Sequence, residues 1–319
     1  MATGDPAGPR LVGDIGGTNT RLALFDPGSG ALSAVRNYLN RDYGSLEEII
    51  AEWLAELKDT APGDCCLAVA APPFEDRVSM LNIDWSFSIS EIADRFGFRR
   101  MRCVNDFEGN AYALSQLGDE DLVALRPGTP RCRRFAVVGP GTGLGGATLE
   151  YCLDTPVAGA SEPGHMGLAP ATALEFELFR ALLPAHGEVH AELLLSGPGL
   201  ARLYHTLGEV RGEPAPLAQP PEISAAALSG DAPLAREAVG AFCALLGSIC
   251  GDYVLATGSY GGLYLAGGIV PDILPILRES AFVTRFDNKG DMSPQLREVP
   301  LHAIVSPGTG LLGAAHVPF

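Results

Sequence analysis

The sequence has 319 residues, of which 47% are hydrophobic and 19% are charged. This composition excludes a disordered chain, and the length favours two closely joined domains over one core. The net charge is −16, so we expect no nucleic-acid partner, and an anionic ligand would be held by backbone N–H groups, helix N-termini and a metal ion.

The first part of the chain is predicted to open with three strands separated by glycine-containing turns, followed by helices alternating with buried strands. Ser45 precedes an apolar run at helical spacing and is the predicted cap of the first helix. The predicted elements are strands at 10–15, 21–25, 31–38, 64–71 and 101–104, and helices at 45–58, 90–96 and 106–117.

The second part repeats the opening pattern about half a chain later. A buried strand, a glycine cluster and another strand follow one another, which is a weak internal repeat. Two similar α/β lobes facing one another would make a cleft, the usual place for a ligand. The predicted elements are strands at 135–138, 147–153, 263–265 and 301–305, and helices at 173–183, 198–207 and 233–257, from Pro271 onward and near 310–315.

The cysteines and the apolar stretches bear on the compartment. Seven cysteines, an odd number without a Cys-x-x-Cys pair, predict reduced core thiols rather than a zinc knuckle. The N-terminus shows no apolar signal-peptide region, and stretches such as 241–246 are too short and interrupted to span a bilayer. We therefore expect a cytoplasmic protein without a membrane partner.

The first glycine motif is GDIGGTNTR at residues 13–21. Glycines at a strand–strand turn let backbone amides approach an anion without a Cβ in the way. Thr18 and Asn19 add neutral donors, and Asp14 could orient Mg²⁺ through water. The motif therefore predicts a phosphate site, the alternative being an ordinary hairpin turn.

The second glycine motif is GPGTGLGG at residues 139–146. No Lys-Ser/Thr follows it, so it is not a Walker A loop. It satisfies a loose G-x-G-x-x-G pattern, but a dinucleotide fold would need a helix next, and 147–151 has the composition of a strand. The motif therefore predicts a second phosphate-binding loop, and a dinucleotide-dependent oxidoreductase is the alternative function.

Two polar motifs suit a polyhydroxyl ligand. Asp106 lies where a strand becomes a helix, where a carboxylate could accept a hydroxyl proton or could serve only as a helix cap. Glu162 and His165 combine acceptors and donors. A zinc site there is disfavoured because the HExxH helix pattern is absent.

Two further segments complete the candidate set. Glu192 leads an apolar run, so we expect a buried carboxylate, which would need partners such as sugar hydroxyls. Gly267 and Gly268 lie between a strand and a helix, where a flat adenine or ribose could approach closely. A helix-end cap and a plain tight turn are the respective alternatives.

Taken together and in this order, the segments resemble the bacterial glucokinases of the hexokinase–actin–sugar kinase superfamily. The resemblance spans nearly the whole chain and implies an α/β, two-lobed actin-like ATPase (ribonuclease H-like) fold with a central cleft. The implied domains are a small one at 1–116 plus 303–319 and a large one at 117–302. ATP, Mg²⁺, phosphorylation of glucose at the 6-hydroxyl, lobe closure and a homodimer are also implied.

The resemblance also assigns residues. Asp106 falls on the catalytic base. The implied sugar ligands are Asn82, Asn105, Asp106, Glu162, His165 and Glu192. The implied nucleotide ligands are Asp14, Gly16, Gly17, Thr18, Asn19, Gly139, Gly141, Thr142, Gly143, Gly267 and Gly268.

Pro163 departs from the family pattern, which has glycine there in Glu-Gly-Gly-His, and proline fixes φ near −65°. Sugar preference therefore stays open to another hexose or an amino sugar. A non-catalytic sugar sensor is the alternative from another class. Sensors of this superfamily often carry a DNA-binding helix-turn-helix ahead of the lobes, whereas only nine residues precede the first predicted strand here.

Overall fold

The computed structural model describes residues 8–57, 61–73, 75–80 and 82–319. The chain divides into two compact units, unit 1 with Met1–Leu117 and Pro307–Phe319, and unit 2 with Gly118–Ser306. The strands are β1 Arg10–Ile15, β2 Asn19–Asp26, β3 Ala31–Leu39, β4 Asp64–Val69, β5 Arg77–Ser79, β6 Ser86–Ser88, β7 Arg100–Asn105, β8 Leu122–Arg126, β9 Arg134–Pro140, β10 Leu144–Cys152, β11 Thr155–Ser161, β12 Gly262–Leu265 and β13 Leu301–Ile304.

The helices alternate with the strands in unit 1 and predominate in unit 2. They are α1 Leu46–Glu56, α2 Ile89–Phe96, α3 Asp106–Ala113, α4 Ala173–His186, α5 Ala191–Leu194, α6 Gly197–Arg211, α7 Pro220–Ser229, α8 Pro233–Thr257, α9 Ile269–Glu279, α10 Phe282–Asp287, α11 Ser293–Leu296 and α12 Thr309–His316.

Unit 1 is built on a five-stranded sheet with the order β3-β2-β1-β4-β7. The first three strands form an antiparallel meander, and β1, β4 and β7 run parallel. Every residue of β4 is buried, as expected for a central parallel strand covered on both faces. The predicted cap is confirmed, because the Ser45 hydroxyl accepts from the backbone N–H of Glu48 at the start of α1. The predicted end of this helix, residue 58, lies outside the described residues.

Unit 2 is built on a six-stranded sheet with the order β11-β10-β9-β12-β13-β8. It again begins with an antiparallel meander, and β9, β12 and β13 run parallel, with β8 antiparallel at the edge. In both units the glycine motif joins the first two strands of the meander. The predicted internal repeat is therefore confirmed at the level of topology.

Helix boundaries differ from the sequence prediction at one proline. The prediction that Pro271 is the first residue of its helix is wrong, because α9 begins at Ile269. Pro271 still lies in the first turn, where backbone N–H groups lack intrahelical partners, so the ring removes no hydrogen bond. Sequence reasoning also missed β8, β11 and α7, although α7 opens with Pro220 at its first position, which is a helix-start signal.

Helix α8 has the predicted bounds, Pro233–Thr257, but is more apolar than expected. Among the described residues it is the one helix that meets the length and hydropathy of a membrane span, so the expectation that all apolar stretches are too short is wrong for it. Its most apolar window is 72% buried inside the protein. Phe242, Leu246 and Ile249 belong to the core of unit 2, which accounts for the apolar composition.

Candidate functional site

The first glycine loop, residues 16–19, joins β1 to β2 in unit 1. The Gly16 N–H donates to the Asn19 carbonyl at 2.9 Å. Asn40, which is 1% exposed, contacts the loop twice. Its side-chain amide donates to the Gly16 carbonyl at 2.8 Å, and its backbone N–H donates to the Thr18 carbonyl at 2.9 Å. Sequence reasoning missed Asn40, because the asparagine lies one strand away from the loop.

Gly17 places the loop against another predicted site residue. A Cβ on Gly17 would lie 2.7 Å from the Cβ of Asn82, closer than real side chains pack. Glycine is therefore required for this approach rather than for an unusual φ. The structure thus brings Asn82, a predicted sugar ligand, beside the predicted phosphate loop.

Asp14 lies on β1 with its carboxylate against the start of α12. A Cβ on Gly310 would lie 2.9 Å from the Asp14 carboxylate carbon, so glycine is needed there too. Burial raises the pKa of Asp14, and the positive charge of Arg21 opposes that rise. A poorly solvated carboxylate favours a cationic partner.

The donor set around Asp14 fits Mg²⁺ held mainly by water and phosphate. The described part of the chain holds no cluster of three or more His, Cys, Asp or Glu side chains suited to a metal ion. Mg²⁺ commonly keeps several waters and binds one or two carboxylates together with substrate phosphates. One half-buried carboxylate beside a glycine loop meets that requirement.

Asp106 is the first residue of α3, and its neighbour Asn105 is the cap. Oδ1 of Asn105 accepts from the Phe107 N–H at 2.9 Å, and the Glu108 carboxylate accepts from the Asn105 N–H at 2.9 Å. The interpretation of Asp106 itself as the cap is therefore wrong. Its carboxylate also accepts from the Phe107 N–H, at 3.0 Å, and lies at a helix N-terminus, which favours negative charge.

Asn110 links this region to the C-terminal helix of unit 1. Its side-chain amide donates to the Asp106 carbonyl at 3.1 Å, and its Oδ1 accepts from the Thr309 hydroxyl. The i to i+4 spacing from Asp106 to Asn110 was a possible signal in the sequence. Nothing local indicated the contact with Thr309.

The second glycine loop, residues 141–143, joins β9 to β10 in unit 2. The Gly141 N–H donates to the Gly143 carbonyl, and the Gly141 carbonyl accepts from the N–H of Gly197, both at 2.8 Å. Gly197 is the first residue of α6, whose cap is Ser196. The loop is therefore tied to a helix N-terminus, a position that favours anions. Sequence reasoning did not connect Ser196 and Gly197 with this loop.

Glu192 lies on α5 with its carboxylate on the second glycine loop. Its Oε2 accepts from the Leu144 N–H at 2.8 Å. A Cβ on Gly143 would collide with the same oxygen, and one on Gly164 would lie 3.2 Å from it. The expectation that this carboxylate needs partners is confirmed, and the partner that the structure provides is the loop backbone.

Glu162 directly precedes a short 3₁₀ turn, Pro163–His165, and His165 is the last residue of that turn. Both side chains are exposed. The Ala191 N–H donates to the Met166 carbonyl at 2.9 Å, which joins this turn to the helix that carries Glu192. The structure thus places the three predicted sugar ligands of unit 2 on neighbouring segments.

Pro163 has a packing role of its own. It is buried, and its Cγ would lie 2.6 Å from a Cβ on Gly146. The proline ring therefore occupies the space that the glycine leaves free on β10. This departure from the family pattern is accommodated by a specific contact.

Gly267 lies against the end of β9. Its φ is +89°, and a Cβ there would collide with the Pro140 carbonyl. The Ala266 N–H donates to the Val138 carbonyl at 2.9 Å. The predicted adenosine segment is thus joined to the strand that leads into the second glycine loop, and Gly268 beside it is exposed.

The sequence matches a family model and known proteins that share one description. A family model described as Glucokinase matches residues 11–318. The glucokinase of Saccharophagus degradans is 38% identical over 312 residues, covering 96% of this chain and 97% of the relative. That of Chromohalobacter salexigens is 39% identical over 308 residues, covering 96% of each.

Solved structures of glucokinases also match this chain. A glucokinase from an Antarctic psychrotroph has a TM-score of 0.87 at 36% identity, covering 97% of this chain and 98% of the other. A ROK family glucokinase from Streptomyces griseus in complex with glucose and AMPPNP has a TM-score of 0.65 at 19% identity, with the same coverage. The second likeness bears on the fold alone.

Proposed function

This chain belongs to the glucokinase family, and we propose that the predicted site residues of both units bind glucose and ATP in its reaction. The family resemblance and the α/β, two-lobed actin-like fold that it implies are confirmed. The activity is ATP-dependent phosphorylation of glucose, which gives glucose 6-phosphate and ADP.

The observation that best supports the site assignment is the bond between Glu192 and Leu144. A carboxylate of the predicted sugar set accepts from the backbone beside the predicted phosphate loop at 2.8 Å. Within one unit, groups suited to hydroxyls and groups suited to phosphates are therefore adjacent. A kinase needs this adjacency, because the acceptor hydroxyl must meet the terminal phosphate.

In the proposed mechanism, Asp106 accepts the proton of the glucose 6-hydroxyl as its oxygen attacks the terminal phosphorus of ATP in line, and the bond from that phosphorus to the bridging oxygen breaks so that ADP leaves. The hydroxyls of the sugar are bound by Asn82, Asn105, Asp106, Glu162, His165 and Glu192. Backbone N–H groups and small side chains of the glycine segments hold the nucleotide. These are Gly16, Gly17, Thr18, Asn19, Gly139, Gly141, Thr142, Gly143, Gly267 and Gly268.

Asp14 is the proposed residue for Mg²⁺, through water. When bound, the ion neutralises negative charge on the phosphates of ATP. Titrating MgCl₂ into the assay tests the requirement, and loss of activity with EDTA that Mg²⁺ restores is the expected result. Substitution Asp14→Asn should raise the Mg²⁺ concentration needed for half-maximal rate.

The decisive experiment is a coupled assay that follows ADP release with ATP and a panel of sugars. Glucose should give the largest kcat/KM, with mannose, fructose and glucosamine as competitors. A larger value for one of those would move the assignment to another hexose or an amino sugar. Sugar binding without ADP release would favour a sensor, and binding of a nicotinamide nucleotide in place of ATP would favour an oxidoreductase.

The proposal includes a cytoplasmic homodimer. All seven cysteines are free thiols, which suits a reducing compartment. Light scattering coupled to gel filtration should give twice the chain mass of 33.4 kDa. A mass of one chain at the highest concentration tested would remove the dimer from the proposal.

A further inference from the structure

We propose that Asn40 is a positioning residue that holds the first glycine loop in the shape that binds phosphate. The inference rests on the proposed role of that loop in nucleotide binding. Asn40 follows β3 directly, so the pairing of β2 with β3 brings it beside residues that are more than twenty positions away in sequence.

Both polar atoms of the Asn40 side chain are hydrogen-bonded. Its amide donates to the Gly16 carbonyl at 2.8 Å, and its Oδ1 accepts from the Thr20 hydroxyl at 2.8 Å. Thr20 is 0% exposed and Asn40 is 1% exposed. Bonds at such a buried position are costly to lose, because a stranded partner has no water to replace them.

These bonds fix the direction of the loop amides. In a trans peptide the C=O of one residue and the N–H of the next point in opposite directions, and the described residues contain no cis peptide. With its carbonyl turned toward Asn40, Gly16 leaves the N–H of Gly17 pointing away. The Thr18 carbonyl is bonded to the Asn40 backbone, so the N–H of Asn19 points away as well.

Asn40 also hydrogen-bonds to the carbonyl that a simple turn would use. In a hydrogen-bonded four-residue turn, the carbonyl of the first residue accepts from the N–H of the fourth. Here the first carbonyl is that of Gly16, and the Asn40 amide occupies it. The loop is thus pre-organised with the N–H groups of Gly17 and Asn19 directed away from Asn40, where an anion can reach them, which lowers the cost of ordering the loop on binding.

The amide satisfies both contacts at any pH, because it combines a donor and an acceptor on one planar group. Substitution Asn40→Asp keeps the shape and the acceptor for Thr20 but places an acceptor against the Gly16 carbonyl. When the introduced carboxyl is protonated, its O–H can donate to that carbonyl again. The defect should therefore depend on pH, which a loss of packing would not produce.

The test measures ADP and glucose binding by calorimetry on the full chain at about pH 8 and about pH 5.5, since burial raises the pKa of a carboxyl. At the higher pH, Asn40→Asp should weaken ADP binding by about tenfold, the equivalent of one lost buried hydrogen bond. Glucose binding should change by less than about twofold. At the lower pH, ADP binding should recover to within about threefold of the wild type.

Asn37→Asp is the matched control. Asn37 lies on β3 three residues earlier, is exposed and accepts from Arg21 rather than touching the glycine loop. The Asn37→Asp substitution introduces the same charge as Asn40→Asp. The ADP affinity of this control variant should follow that of the wild type at both pH values. Thr20→Val, which removes the hydroxyl that anchors Asn40, should weaken ADP binding by about threefold and serves if Asn40→Asp does not fold.

Equal ADP affinity for Asn40→Asp and Asn37→Asp at the higher pH would overturn the inference. So would a parallel loss of ADP and glucose binding that does not recover at low pH, because that is the signature of a purely structural role. The Gly17→Ala variant separates failure of the inference about Asn40 from failure of the proposed nucleotide site on which it rests. If it abolishes ADP binding while Asn40→Asp does not, only the role of Asn40 fails; if both bind ADP normally, the loop is not the nucleotide site.

Discussion

The backbone N–H of Leu144 donates to Oε2 of Glu192 across 2.8 Å. This bond ties α5 to the start of β10, directly after the second glycine loop. Gly143 and Gly164 lack the Cβ atoms that would crowd the carboxylate. A side chain proposed to bind sugar therefore also fixes the backbone beside the proposed nucleotide loop, so its two roles are separable by substitution.

Substitution Glu192→Gln keeps an oxygen that can accept from Leu144, whereas Glu192→Ala removes it. Both should weaken glucose binding, but only the alanine variant should also weaken ADP binding, by about tenfold. Calorimetry with each ligand alone measures the two effects. Glu188→Gln and Glu188→Ala, at an exposed position nearby, are the matched controls. ADP binding equally weak in both Glu192 variants would contradict the structural role of the bond.

Substitution Asp106→Asn should lower kcat by about 10²- to 10⁴-fold, because an amide cannot accept the proton of the attacking hydroxyl. Glucose affinity should change little, since the amide keeps hydrogen-bonding capacity. The coupled assay gives kcat and a binding titration gives the affinity. Asp94→Asn, at an exposed position on α2, removes the same charge and should leave both values unchanged. A kcat within about twofold of the wild type would remove Asp106 as the base.

Gly267 and Gly268 form a natural pair for testing backbone strain. Gly267 has a φ of +89° and lies against the Pro140 carbonyl, whereas an alanine Cβ on Gly268 would meet nothing within 4 Å. Gly267→Ala should lower the free energy of unfolding by about 2–4 kcal/mol, from backbone strain and the collision together. Gly268→Ala should change it by less than about 0.5 kcal/mol. Urea unfolding measures both, and similar losses would contradict the observed conformation.

The glycine motifs were predictable from sequence because their chemistry is local. A run such as 139–146 needs close backbone approach wherever it lies, and the strand that leads into it, β9, is mostly buried. Residues that act through distant contacts were not predictable in this way. The hydroxyl of Thr309 bonds to Asn110 across 199 positions, and Asn40 meets Gly16 across 24.

The predicted sugar ligands also include a residue, Glu192, whose hydrogen-bond partner could not be predicted from the sequence. Glu192 was singled out as a carboxylate in need of partners, and hydroxyls of a ligand were the expected ones. The structure provides a backbone N–H 48 positions away. Periodicity and residue type indicate that a buried polar group must be paired, but only the fold determines the partner.

Asp64 offers a test of the electrostatics of unit 1. It is 1% exposed at the start of β4, and Arg100 donates to both carboxylate oxygens, at 2.5 and 3.2 Å. The hydrogen bonds from Arg100 lower the pKa of Asp64, burial opposes them, and the charges of Arg100 and Arg99 add to the lowering. A carboxyl whose pKa is lowered by folding stabilises the protein above its unfolded pKa of about 3.9, and that contribution is lost as the pH falls through the folded value.

Substitution Asp64→Asn should therefore lower the free energy of unfolding at neutral pH by about 1.5–3 kcal/mol, the range for hydrogen bonds to a charged group. The difference in the free energy of unfolding between the variant and the wild type should shrink once the pH falls below about 4. At that pH the wild-type carboxyl takes up a proton and becomes uncharged, as the asparagine side chain already is. Urea unfolding at several pH values measures it, with Asp94→Asn as the exposed control. A difference that stays constant down to about pH 3 would mean that Asp64 contributes through packing rather than through its charge.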